Sequence, residues 1–112
     1  MKVSVITPSL NQGAYIEQTI QSVLQQEGDF DLEYLVIDGG SKDRTLDILS
    51  HYKSRLGWIS EPDSGQSDAL NKGFRMASGD LLGWLNADDT YEPGALSRVV
   101  EEYRNVQFNW CF

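Results

Sequence analysis

With 112 residues, 40% of them apolar and 23% charged, the chain has enough material for one folded core and not for two. A formal net charge of −8 disfavours nucleic acid and anionic membrane surfaces, which call for clustered Lys and Arg, and no apolar run is long enough to span a bilayer. The single cysteine, Cys111, cannot close an internal disulfide, and the opening residues lack the long apolar core and cleavage site of a secretory leader, so a cytoplasmic setting is expected.

In chain order, residues 3–7 form a first predicted strand. Residues 14–26 carry Ile16, Ile20, Val23 and Leu24 on one helical stripe. A second strand over 32–38 ends in Asp38 and leads through Gly39 and Gly40 into a helix over 45–53, and residues 57–60 are a short third strand. A helix over 66–77 sets Ala69, Gly73 and Ala77 four apart, a small-residue face for close packing on a sheet, with Leu70 and Phe74 as bulk beside it. Leu81 to Ala87 is an apolar run that closes on Asp88 and Asp89, and its pattern predicts a strand buried on both faces. Pro93 opens a last helix with Leu96, Val99, Val100 and Tyr103 on one side. The acidic segment 27–31 reads as a solvated loop. Residues 106–112 are apolar and aromatic and read as the start of another strand, so a longer protein is expected. Strands alternating with helices predict a mostly parallel sheet in a three-layer α/β/α domain spanning residues 1–112.

In such a sheet, ligands bind beyond the carboxyl ends of the strands. The polar residues that close the apolar runs are Thr7-Pro8-Ser9, Asp38 through Ser41, Glu61-Pro62-Asp63, and Asp88-Asp89, all expected at one rim. Two adjacent acids near a core repel unless a positive group lies beside them, and a divalent cation fits that need. The first turn has neither G-x-G-x-x-G nor a phosphate-binding G-x-x-x-x-G-K loop, which disfavours dinucleotide and P-loop folds. Asp38 is suited to accept a hydrogen bond from a base N–H. Asp43 and Thr45 suit helix capping, as do Asp63 and Ser64. Lys72 is equally suited to neutralising a carboxylate and to a solvated face, and His51 reads as a surface helix residue.

Taken together, Ile6 through Asn11, Val36 through Thr45, Glu61 through Gly65 with Asp68 through Gly73, and Leu85 through Asp89 resemble the family 2 inverting glycosyltransferases of the Rossmann-like GT-A fold. The resemblance covers nearly the whole chain. It implies that Thr7 and Pro8 line a nucleotide pocket, that Asp38 recognises the base, usually uracil, and that Asp63 borders the pocket with Asn71 and Lys72. It further implies that Asp88 faces the ribose while Asp89, with Asp88 beside it, holds Mg²⁺ or Mn²⁺ on the diphosphate. Asn86 stands where the D-x-D-D form has its first aspartate. The family's catalytic base and acceptor-binding elements fall in the second half of its domain, beyond Phe112.

The activity so implied is transfer of a sugar from a nucleotide diphosphate sugar, UDP above all, to a hydroxyl on a polysaccharide, glycolipid or glycoprotein, with inversion. Membrane association is expected only through regions outside this chain, at the inner face, and a homodimer stays open. Two alternatives stand beside it. A metal-dependent nucleotidyltransferase would carry a basic, Gly-rich loop after strand one, and residues 7–13 have no basic side chain. An inactive donor-binding module would fold by pairing its exposed terminal strand with another chain.

Overall fold

The computed structural model describes residues 1–106. Its elements run β1 (Lys2–Ser9), α1 (Ile16–Leu24), β2 (Asp31–Asp38), α2 (Thr45–His51), β3 (Gly57–Ser60), α3 (Gln66–Met76), β4 (Leu81–Trp84) and α4 (Ala95–Val106). The four strands form one parallel sheet in the order β3-β2-β1-β4. All four therefore end at the same rim, as the alternation of elements predicts. The further strand expected at the chain's end lies outside the described residues.

Alternation along the strands sorts the core into two layers. Val3 and Val5 of β1, with Tyr34 and Val36 of β2, join a cluster with Ile16, Ile20 and Val23 of α1, Leu49 of α2, and Leu96 and Val100 of α4. On the opposite face Ile6, Leu35 and Ile37 pack against Ala69 and Leu70 of α3. The small-residue face of α3 works as its spacing suggests. A Cβ at Gly73 would run into the Ile6 side chain, so glycine there lets the helix backbone close on the sheet.

Two expectations need correction. The run from Leu81 is not a long strand buried on both faces: β4 stops at Trp84 and, among the described residues, pairs with β1 alone. Leu81 and Gly83 face inward, while Trp84 is 44% exposed. The ladder ends where Leu85 N–H donates to the Ile6 carbonyl at 3.0 Å, and the chain then turns through Asp89 N–H to the Asn86 carbonyl at 3.1 Å. Leu85 and Ala87 are buried without being strand residues, which explains why an apolar run overstated strand length. The last helix likewise begins at Ala95, because Pro93 and Gly94 form the turn before it.

Candidate functional site

Four loops cover the rim: residues 10–15, 39–44, 61–65 and 85–94. The first two are fastened by a relay. Asn11 N–H donates to Ser41 Oγ at 2.7 Å, Ser41 Oγ–H donates to Asp38 Oδ1 at 2.5 Å, and Lys42 N–H returns to Asn11 Oδ1 at 2.8 Å. Asn11 adopts φ +52°, a left-handed conformation that asparagine tolerates better than most residues.

Asp38 is fully buried at the centre of this relay. Besides Ser41 Oγ–H, it accepts from Gly40 N–H at 3.1 Å, Ser41 N–H at 2.7 Å and Ser60 Oγ–H at 2.8 Å. Three of these donors converge on Oδ2, and Oδ1 takes the Ser41 hydroxyl alone, which leaves it one further acceptor site. Asp38 ties β2, β3 and the following loop together.

Thr7 is also buried. Its hydroxyl shares a hydrogen bond of 2.8 Å with the Tyr34 hydroxyl, beneath the rim. Burial holds the Tyr34 phenol well above its usual pKa, so it stays neutral. The neighbouring Pro8 instead lines a cleft of about 110 Å³, together with Ser9, Leu10, Asp63, Gln66 and Ala69. Ser9 Oγ itself is buried, with no hydrogen-bond partner among the described residues. Asp63 fits against the second loop because a Cβ on Gly39 would stand 2.9 Å from its Oδ2. Its other oxygen accepts Gly65 N–H at 3.0 Å, and Asp68 accepts Ser64 N–H at 2.9 Å, so both acids help begin α3.

Asn71 is exposed on α3 and does not line the cleft. Lys72 neutralises carboxylates: its Nζ lies 3.0 Å from Glu61 and 3.8 Å from Asp68. The hydrogen bond to Glu61 raises the pKa of its ammonium. Asp43 is spent on structure too, accepting from Gly13 N–H at 2.9 Å and Thr45 N–H at 2.9 Å. The bond from the Thr45 hydroxyl, reinforced by these amides, lowers its pKa.

Asp88 and Asp89 lie exposed on the fourth loop. Among the described residues no group of three or more His, Cys, Asp or Glu side chains could hold a metal ion. Two adjacent exposed carboxylates still fit Mg²⁺ or Mn²⁺ of the kind that takes one or two protein oxygens and completes its shell with phosphates and water. This loop meets the cleft through Asn86, whose Oδ1 accepts from Gln66 Nε2 at 2.5 Å and from Trp84 Nε1 at 3.0 Å. Sequence reasoning placed Ser9 at the rim with Thr7 and Pro8 but passed over Gln66 and Trp84. The only signal for Gln66 was its place in the first turn of a helix aimed at the rim.

Comparison with known proteins agrees with this architecture. The family model described as glycosyl transferase family 2 matches residues 4–109, and the chain belongs to that family. An uncharacterized glycosyltransferase of Mycobacterium tuberculosis is 42% identical over 101 residues, covering 88% of this chain and 38% of the relative. Among solved structures, S. aureus TarS (residues 1–349) in complex with UDP-GlcNAc aligns with a TM-score of 0.82 at 26% identity, covering 94% of this chain and 32% of TarS. A mannosyltransferase from Pyrobaculum calidifontis in complex with GDP-Man and Mn²⁺ aligns with a TM-score of 0.80 at 26% identity, covering 90% of this chain and 32% of that one. The fold is thus the GT-A type. The chain spans between 33% and 40% of the length of the curated relatives it matches.

Proposed function

We propose that this chain forms the donor-binding part of a metal-dependent inverting glycosyltransferase that uses a UDP-sugar and works in the cytoplasm. One observation carries the reading: the Gln66–Asn86 hydrogen bond joins the cleft at Pro8 and Asp63 to the loop bearing Asp88 and Asp89. A nucleotide seated in that cleft would have its diphosphate within reach of the two carboxylates. The UDP-GlcNAc and GDP-Man–Mn²⁺ complexes of structural neighbours support this direction.

In this reading Pro8, Asp63 and Gln66 hold the nucleoside. Thr7 braces the floor through Tyr34. Asp88 takes the ribose hydroxyls, and Asp89, with Asp88, holds Mg²⁺ or Mn²⁺. The acceptor hydroxyl attacks the anomeric carbon opposite the departing diphosphate, so one C–O bond forms as another breaks and the configuration inverts. A bound cation would supply charge stabilisation to the diphosphate as it leaves. The base that takes the acceptor's proton is assigned to residues outside this chain, as is the acceptor pocket, whose substrate is a glycolipid, polysaccharide or glycoprotein.

Calorimetric titration with UDP tests the reading. Mn²⁺ should tighten binding by about tenfold or more, equivalent to roughly 1.4 kcal/mol, and Asp89→Ala should erase that gain. Equal UDP affinity with and without metal would overturn it.

A further inference from the structure

We propose that Thr19, Ser22 and Gln26 of α1 and its C-terminal extension are positioning residues that set the backbone of the Asp88–Asp89 loop. This inference rests on the metal-dependent donor site proposed above. Thr19 is 1% exposed, and its hydroxyl donates to the carbonyl of Asp89 at 2.6 Å. Ser22 Oγ–H donates to the Thr19 carbonyl at 2.8 Å, and the same oxygen accepts Tyr91 N–H at 3.1 Å. Gln26 is buried. Its Nε2 donates to the Glu92 carbonyl at 2.9 Å and the Ser22 carbonyl at 3.1 Å, while its Oε1 accepts Leu96 N–H at 3.1 Å.

Spacings of three and four residues place these side chains in one row, beside the apolar row of Ile16, Ile20 and Val23. Each reaches the main chain of the fourth loop, in order, at Asp89, Tyr91 and Glu92, and Gln26 also holds Leu96 in the first turn of α4. None is spent on the carboxylates of Asp88 or Asp89. The arrangement therefore pins the loop by its backbone and leaves both acids available. Helix packing alone does not require this, since a valine at position 19 would fill the same space. Thr19 acts on the very residue proposed to hold the cation, through that residue's own carbonyl.

Thr19→Val keeps the branched shape and removes the donor; Thr19→Ser keeps the donor. Free Mn²⁺ followed by electron paramagnetic resonance during UDP titration gives the affinity of the ternary complex. Thr19→Val should weaken Mn²⁺ retention roughly five- to tenfold, the size of one lost hydrogen bond, with UDP affinity in the absence of metal unchanged. Thr19→Ser should restore Mn²⁺ retention to within about twofold of the parent. Amide exchange at Asp89 and Tyr91 should accelerate in Thr19→Val without metal present. Should Thr19→Val fail to fold, Ser22→Ala, which removes the acceptor for Tyr91 N–H, carries the same expectations. Parent-like Mn²⁺ retention in the variant overturns the tether alone. Metal-independent UDP binding by the parent chain overturns both the tether and the donor site it serves.

Discussion

Asp38 closes β2, and Asp88 and Asp89 lie in the loop after β4 at the same rim, yet the two places use their acids in opposite ways. Asp38 is buried under four protein donors and holds three chain segments together. Asp88 and Asp89 stand in solvent, while α1 holds their loop by its main chain. A carboxylate at the end of a parallel strand is thus either a structural hub or an available ligand. What decides is whether hydrogen-bond donors converge on the acid or on the backbone around it.

Substitutions can break this contrast. The largest loss of stability is expected for Asp38→Ala, which strands several buried donors; chemical denaturation should show at least ~3 kcal/mol. Ser41→Ala removes one donor to Asp38 and the acceptor for Asn11 N–H, and should cost about 1–3 kcal/mol by the same measurement. Asp88→Ala, by contrast, should leave stability within about 0.5 kcal/mol while weakening nucleotide binding.

A test at high pH sharpens the comparison from beneath the fourth loop. Burial pushes the Tyr91 phenol up to about 12 from an ordinary 10, and its hydroxyl has no hydrogen-bond partner among the described residues. A folded-state pKa above the unfolded one means that stability is intact below pH ~10 and declines as pH rises toward 12 and beyond. Tyr91→Phe should therefore be neutral at pH 7 and lose less stability in that alkaline window. Part of the decline should persist, because Tyr34 is also held neutral by burial. Thermal melts at stepped pH would check both halves of this expectation.

Much of the rim was legible in the sequence because strand and helix periods are local. The ends of four apolar runs mark four loops, and the four-residue spacing of Ala69 and Gly73 foretells a close helix–sheet contact. The short span of β4 was not legible: an apolar run records hydrophobicity, and Leu85 and Ala87 are buried without being strand residues. The convergence of donors on Asp38 was hidden because Ser60 reaches it from another strand. Thr19, Ser22 and Gln26 escaped notice because polar residues beside an apolar stripe look like a solvated flank until the loop they hold is in place.

The pairing of β1 with β4 has a consequence for how the molecule forms. Val3 meets Leu81 across about three quarters of the described chain, whereas the remaining neighbours in the sheet are closer in sequence. Closing so long a loop is entropically costly before any contact rewards it, and parallel pairing adds to the delay. Folding should therefore pass through a late step in which β4 docks, and the loop carrying Asp88 and Asp89 takes its shape only then. Mutations that slow that step would lengthen the time during which the free edge of β1 is open to pairing with other chains.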